Sequence, residues 1–216
     1  ILGGYQLFTE NTLPPVVLVL ERLMSLPRLL KIWGIVILGN FAGGGFGALV
    51  LARTGVLSPE AMDAATKIAR KGVETEFWPL FFKAAFAGLI VAGVVWLVYA
   101  VRDSVARLVI VYLAFLAVPL GNLYHSVVSF TELAFLAFTG APVFLEGLVW
   151  FVFPVLLGNT LGGVLLVTVV NYFQTTEERL DIARRDGFDR ELTPRELLFG
   201  DMAGRSYVHK LVHEEE

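Results

Sequence analysis

The stretch VPLGNLYHSVVSF, residues 118–130, places a proline, a glycine, an asparagine, a histidine and two serines inside an otherwise apolar run. Burying polar groups in hydrocarbon without hydrogen-bond partners is costly. Ionisable side chains at membrane depth are therefore rare, and they usually line the route of a substrate or ion. The stretch predicts an interrupted membrane helix whose polar residues have a function.

The composition around this stretch is that of a membrane protein with a charged tail. The chain has 216 residues, 56% of them hydrophobic, and a mean hydropathy of +0.70. Its last forty residues hold 18 of the 37 charged side chains. We divide it into a transmembrane domain, residues 1–176, and a cytoplasmic tail, residues 177–216. No cluster of basic residues indicates nucleic acid, and the lack of cysteine excludes disulfides and thiolate metal sites.

Four segments are long enough to cross the membrane, which takes about 20 helical residues. They lie at about 32–52, 78–101, 108–138 and 148–173. A shorter run, Leu13 to Leu20, is half that length and begins with two prolines. The loop at 53–77 should hold a short helix capped by Ser58. Arginine and lysine follow the half helix and the second span and recur in the tail, which places those regions in the cytoplasm by the positive-inside rule.

An internal repeat relates two of the spans. The pattern G-N-x-x-G-G occurs at residues 39–44 and again at 158–163, an offset of 119. Small residues let membrane helices approach closely, and asparagine can lock them by hydrogen bonds. We therefore predict helix-packing roles for Gly39, Asn40, Gly43, Gly158, Asn159 and Gly162.

The same offset maps His125 onto Gln6, so that YQLFTENT at 5–12 corresponds to YHSVVSFT at 124–131. Interrupted helices at corresponding positions of two halves point to a transporter or channel site near the midplane. The offset also predicts that about forty residues of the first half, a helix and a half, precede Ile1. The intact protein would then have six membrane segments and two cytoplasmic termini.

Together these motifs resemble the formate/nitrite transporter family, pentameric membrane channels for small monovalent anions. The matching segments are LGGYQLFTENT (2–12), GNFAGG (39–44), FFKAAFAG (81–88), GNLYHSVVSF (121–130) and FPVLLGNTLGG (153–163). The resemblance covers about residues 2–173. It implies an all-α membrane fold, with an aquaporin-like inverted repeat of three-helix halves and two broken helices. It further implies a homopentamer in the inner (plasma) membrane, in contact with the lipid bilayer, with no cofactor, no metal and no enzymatic activity.

The resemblance also assigns roles to individual residues. His125 would be the central pore histidine, with Thr9 as its hydrogen-bond partner. Leu7 and Phe8 would form a constriction on the cytoplasmic side, and Lys83 would draw anions into the vestibule.

Four positions depart from the pattern of this family. Gln6 replaces an acidic residue, Glu10 replaces a small one, and Ser129 and Gly88 each replace an asparagine. Gln6 and Glu10 are therefore candidate selectivity residues, in a divergent branch of the family.

The residue types themselves suggest how an anion would cross. Helix N-termini after Thr9 and near Ser126 and Ser129 would aim free N–H groups at the midplane. An unperturbed histidine titrates near pH 6.5, so a protonated His125 would offset the charge of the anion. Passing that proton to formate, nitrite or hydrosulfide would produce a neutral acid. Lys83 has an alternative, which is to extend toward the membrane interface.

Other functions remain open from the sequence. A pore for neutral solutes is slightly favoured by Glu10, and a non-transport protein would act through its tail. An intramembrane enzyme using His125 and Glu132 lacks a nucleophile. In the tail, Thr193, Pro194 and Glu196 predict a solvated capped helix. His209 and His213 have a metal-ligand spacing but no third ligand.

Overall fold

The computed structural model describes residues 7–169 and 191–203, and the statements below concern these residues. Every element in these two ranges is helical, as predicted. After a 3₁₀ turn at Phe8–Thr12, the helices are α1 (Pro14–Leu20), α2 (Leu26–Arg53), α3 (Pro59–Val73), α4 (Phe77–Ala100), α5 (Ser104–Leu120), α6 (Ser126–Phe138), α7 (144–169) and α8 (Pro194–Ala203). Helix α7 contains two π-helical segments, Leu148–Val152 and Gly162–Val169.

Three of these helices are long and apolar enough to span a membrane: α2, α4 and α7. Helix α2 begins at Leu26 rather than near residue 32, because Ser25 caps it by accepting the N–H of Arg28 at 3.4 Å. The third predicted span is two shorter apolar helices, α5 and α6, separated at the polar stretch. The predicted interruption is therefore confirmed.

Burial is uneven among the spanning helices. Only 6% of the apolar window of α2 is buried, against 44% for α4 and for α7. Large apolar side chains of α2, among them Leu30, Ile35, Leu38 and Phe46, are exposed. Such a face is suited to lipid tails or to other membrane helices. The core instead forms where α4, α6 and α7 meet, around Leu80, Leu133 and Phe151.

The two halves of the repeat pack against each other reciprocally. A Cβ added to Gly44 would collide with the Thr131 hydroxyl, and one added to Gly163 would collide with the Thr12 hydroxyl. Gly44 and Gly163 are 119 residues apart, as are Thr12 and Thr131. The last glycine of each G-N-x-x-G-G motif thus lies against the broken helix of the other half, the arrangement that a two-fold relation between the halves produces.

The other motif glycines behave differently in the two halves. Gly158 and Gly162 allow α7 to approach the backbone of α4 at Phe81 and Ala85. Gly39 and Gly43 have no atom of the described residues within 4 Å of an added Cβ. The predicted packing contacts of Gly39 and Gly43 are therefore absent from this part of the chain, because no described helix lies against that face of α2.

The predicted helix in the loop between α2 and α4 is α3. The Ser58 hydroxyl accepts the N–H of Ala61 at 3.3 Å and caps the helix. Asp63 and Lys67 form an ion pair at 2.7 Å, but both are exposed, so the pair adds little stability. The apolar face of α3 packs on α6, which brings this loop helix close to the polar stretch.

Helix α8 is capped as predicted but it is not simply solvated. Thr193 N–H donates to Glu196 Oε2 at 2.9 Å and Glu196 N–H donates to Thr193 Oγ1 at 3.3 Å. Leu192 is 1% exposed, and its N–H donates to the Arg22 carbonyl at 2.9 Å. Leu197 packs with residues of α1 and α2. The prediction of a solvated tail helix is wrong on this face, because Leu192 is buried and Leu197 is half-buried against the membrane domain. His209 and His213 lie outside the described residues.

Candidate functional site

The polar stretch forms a true break between α5 and α6. Gly121 ends α5, and Asn122 follows in the left-handed region with φ of 50°. The Leu123 N–H closes the helix end on the Val118 carbonyl at 3.0 Å. His125 is extended, with φ of −115° and ψ of 131°, and it is the N-cap residue of α6. The break therefore places His125 at the N-terminus of a 13-residue helix, where the helix dipole is positive.

Asn159 of α7 holds this break in place. Its side chain is fully buried. Its Oδ1 accepts the Ser126 N–H at 2.8 Å and the Thr9 hydroxyl at 3.4 Å. Its Nδ2 donates to the carbonyls of Ala84 at 2.8 Å and Tyr124 at 3.0 Å. One amide thereby uses both donors and both acceptor lone pairs to join α4, α7 and the two broken segments.

Asn40 makes the corresponding bond at the first break. Its Oδ1 accepts the Phe8 N–H at 2.9 Å, where the 3₁₀ turn begins. Asn40 and Asn159 are 119 residues apart, and the backbone N–H groups they accept, of Phe8 and Ser126, are 118 apart. Each asparagine therefore fixes the backbone where the broken helix of its own half begins.

The half helix predicted at Leu13 to Leu20 is confirmed as α1, which begins at Pro14 and has seven residues. The first break differs from its prediction in two respects. Thr9 lies in a 3₁₀ turn rather than directly before a helix. The Thr9 hydroxyl donates to Asn159 Oδ1, not to His125, because the amide oxygen lies between the two breaks and takes the bond. The predicted Thr9–His125 hydrogen bond is therefore replaced by one to Asn159.

The remaining predicted residues of the first break lie around this turn. Phe8 is buried, and its ring meets that of Trp33 edge to face, 5.5 Å between centroids. Leu7 is half-buried, and Glu10 is only 1% exposed. Gln6 lies outside the described residues.

Along α6, polar atoms are buried without hydrogen-bond partners. They are His125 Nε2, Ser126 Oγ, Ser129 Oγ and Glu132 Oε2. His125 as a whole is 4% exposed. Buried polar groups nearly always have a partner, so such a cluster indicates a place where water or a solute binds.

A cavity of about 500 Å³ lies beside this face of α6. His125, Ser129 and Glu132 are lining residues with polar side chains, and Leu7 lines the cavity from the first break. Most of the other lining residues are apolar, among them Val91, Phe115, Val118, Leu123, Val127 and Val128. Since a water molecule occupies about 30 Å³ in the liquid, the cavity has room for a small solute with several waters.

Two lysines approach the break from different helices. Lys83 of α4 places Nζ 5.8 Å from the ring centroid of Tyr124, the residue before His125. Lys83 is not among the residues lining the cavity, so its vestibule role stays a prediction. Lys71 of α3 donates to Asn122 Oδ1 at 3.0 Å and does line the cavity. No local sequence signal marks Lys71 as a site residue, because only the packing of α3 on α6 brings it there.

Within the ranges 7–169 and 191–203, no group of three or more histidine, aspartate or glutamate side chains is placed to hold a metal ion.

Comparison with known proteins agrees with this architecture. The sequence profile described as "Formate/nitrite transporter" matches residues 1–173. The chain is 30% identical over 177 residues to "Inner membrane protein YfdC" of Escherichia coli K12, covering 81% of this chain and 56% of that protein. It is 30% identical over 180 residues to "Formate-nitrite transporter 3" of Toxoplasma gondii, covering 80% of this chain and 35% of that protein. The chain thus spans between about a third and just over half of these relatives.

The fold is also found among solved structures. A structure described as "FNT family ion channel" superposes with a TM-score of 0.72 at 25% identity, covering 81% of this chain and 71% of the other. The two chains therefore share an all-α membrane fold.

Proposed function

Because this chain belongs to the formate/nitrite transporter family, we propose that it forms a proton-linked channel or transporter for small monovalent anions, such as formate, nitrite or hydrosulfide. The observation that carries the proposal is the position of His125. Its imidazole is buried at a helix break, its Nε2 has no hydrogen-bond partner, and it lines a cavity of about 500 Å³. A buried ionisable group with free hydrogen-bonding capacity in a membrane domain is the expected signature of a transport site.

The chemistry of the proposed site starts from the charge of the anion. A protonated imidazole supplies one positive charge, and the N-terminus of α6 adds a partial positive charge from its backbone N–H groups. When the imidazole passes its proton to the anion, an N–H bond breaks and an O–H or S–H bond forms. The neutral acid that results crosses an apolar constriction more easily than the anion does. Ser126 and Ser129 supply hydroxyl groups beside the histidine for hydrogen bonds to the solute.

The proposed entry and exit of the pore use residues of the other elements. Leu7 and Phe8 at the first break form the apolar constriction that excludes water and hydrated ions. Lys83, next to Tyr124, raises the local concentration of anions near the site. Gln6 and Glu10 adjust which solutes pass, with Thr9 holding the first break to Asn159.

We also propose the oligomeric state, the membrane location and the domain division of the protein. It is a homopentamer of the inner membrane with cytoplasmic termini, in which residues 1–176 form the channel domain and residues 177–216 a cytoplasmic tail. The exposed apolar face of α2 supports contact with lipid or with other membrane helices. The name of the Escherichia coli relative supports the inner membrane.

Two alternatives have a specific observation in their favour. A pore for neutral solutes is favoured by Glu10, because a buried carboxylate at the first break would repel an anion if it were ionised. A function exerted through the tail is favoured by the docking of Leu192 on the Arg22 carbonyl.

Flux measurements on the full-length protein in liposomes separate these functions. We expect formate or nitrite flux to fall at least about tenfold in His125→Ala, while His209→Ala in the tail serves as the matched control and keeps wild-type flux. Equal anion flux in wild type and His125→Ala would contradict the proposal. Glycerol flux that is independent of His125, with no anion flux, would favour the neutral pore. Loss of the cellular phenotype only on deletion of residues 177–216 would favour the tail.

A further inference from the structure

Glu132 is a half-buried glutamate, with a buried Oε2, that the proposed function leaves without a role. It lies on α6 seven residues after His125 and three after Ser129, so the three side chains share one face of the helix. All three line the same cavity. By helical rise, Glu132 lies roughly 10 Å from His125 along the axis.

Among the described residues, no ion pair to Glu132 is formed. Its Oε2 is buried and finds no hydrogen-bond partner within these residues. Lys71 on α3 lines the same cavity, but its ammonium group donates to Asn122 Oδ1. An ionised carboxylate here would therefore act on the contents of the cavity with little compensation.

The other titratable groups around the cavity leave this conclusion intact. His125 and Tyr124 line it from the break, and the Tyr124 hydroxyl already pairs with Thr75 Oγ1 at 3.3 Å. Helix α4 contributes Lys83, which lies over the Tyr124 ring. Helices α2 and α7 also pack on α6, but their charged residues Arg28, Lys31, Arg53 and Glu146 do not line the cavity. Among the described residues, Glu132 is thus the one carboxylate-bearing residue in the lining.

We propose that Glu132 is an electrostatic filter in the anion route: when ionised it keeps monovalent anions out of the cavity, and when protonated it admits them. The filter rests on the proposed function, since it acts on the anion that His125 binds. Two unit charges about 10 Å apart, in an effective dielectric of about 20, interact strongly enough to change anion occupancy roughly tenfold. The filter makes uptake acid-favoured even for an anion that does not itself change protonation state.

The direction in which pH changes anion entry follows from the charge of the Glu132 carboxylate. At alkaline pH the carboxylate is ionised, and it lowers the concentration of anions in the cavity. As pH falls, protonation removes this repulsion and supplies an O–H donor for a hydrogen bond to the anion. Glu132→Gln keeps the size and polarity of the side chain but fixes it in the neutral form.

The test compares formate flux of Glu132→Gln with that of wild type at each pH from 5 to 8, using the full-length protein in liposomes. Both proteins are assayed in the same formate solution, and both retain His125. The ratio of their fluxes therefore cancels the pH dependence that comes from formate protonation and from His125. We expect a ratio of roughly ten at pH 8 that falls as the pH is lowered and the carboxylate takes up a proton. The matched control, Glu146→Gln, changes an exposed glutamate and should give a ratio of one throughout.

A ratio for Glu132→Gln that stays constant with pH would overturn the filter. Glu132→Leu provides a second neutral variant and should show the same rise at pH 8. Failure of the proposed function looks different, because wild type and His125→Ala would then carry formate equally. If His125→Ala abolishes flux while both Glu132 variants follow the wild-type pH profile, the anion pathway stands and the filter does not.

Discussion

The Oδ1 atom of Asn159 accepts the backbone N–H of Ser126 at 2.8 Å, and this bond positions the residue that follows the buried histidine. The same amide reaches α4 and the first break. A single side chain on α7 thereby bonds to both interrupted segments, while Asn40 fixes the start of the first. The backbone around the polar residues of the site is thus held by Asn159 of α7 rather than by bonds among those residues.

Replacing Asn159 should destabilise the protein strongly. Asn159→Ala leaves the buried N–H of Ser126 and the carbonyls of Ala84 and Tyr124 without this partner, and each such group costs about 1–3 kcal/mol. We expect a clear fall in Tm in detergent, measured by tryptophan fluorescence. Thr160→Ala is the control, because that hydroxyl bonds only within its own helix. Equal Tm values for the two variants would show that Asn159 is not a structural lock.

The reciprocal glycine contacts predict that an added methyl group destabilises the protein at Gly44 but not at the adjacent Gly43. Gly44→Ala places a methyl group against the Thr131 hydroxyl, and overpacking of this kind typically costs about 1–3 kcal/mol. Gly43→Ala meets no described atom within 4 Å and should be neutral or slightly stabilising, since alanine favours helices. Adding Thr131→Ala should restore the stability of the Gly44 variant. Equal unfolding temperatures for Gly44→Ala and Gly43→Ala would contradict the close contact between Gly44 and Thr131.

Lys83 should affect anion capture more than transport at saturation. Lys83→Gln removes the charge beside Tyr124, and we expect a several-fold rise in the anion concentration that gives half-maximal flux, with a smaller dependence on ionic strength. Lys67→Gln removes an exposed lysine of α3 that pairs with Asp63 and should leave both quantities unchanged. An identical salt dependence in the two variants would assign Lys83 to packing alone.

The docked tail helix predicts a change in protease sensitivity. Leu192→Ala removes a buried side chain, a change that typically costs about 2–5 kcal/mol in a well-packed site, and should release residues 191–203 to limited proteolysis. Leu198→Ala alters a leucine that is 51% exposed and should leave cleavage unchanged. Cleavage at the same rate in both variants would mean that the docking contributes no stability.

The sequence predicts the framework well because its signals are local. Apolar runs locate the spans, the polar stretch locates the break before Ser126, and Ser58 and Thr193 mark helix starts by their own capping bonds. The repeated motif identifies Asn40 and Asn159 as a pair, although their partners depend on how distant helices meet.

The errors arise where two distant segments compete for one group. The sequence cannot show that the Thr9 hydroxyl donates its hydrogen bond to Asn159 rather than to His125. Leu192 directly precedes the capping Thr193, but its burial depends on a distant segment, the turn at Arg22. Lys71 joins the cavity only through the packing of α3 on α6.

The most direct test of the central claim is formate flux into liposomes containing the full-length protein, measured from pH 8 to pH 5 for wild type and His125→Ala. A protonated histidine favours the anion, so flux carried by wild type should rise as pH falls, and this rise should disappear in His125→Ala together with at least about nine-tenths of the flux. Equal formate flux and the same pH profile in both proteins would contradict a transport role for His125.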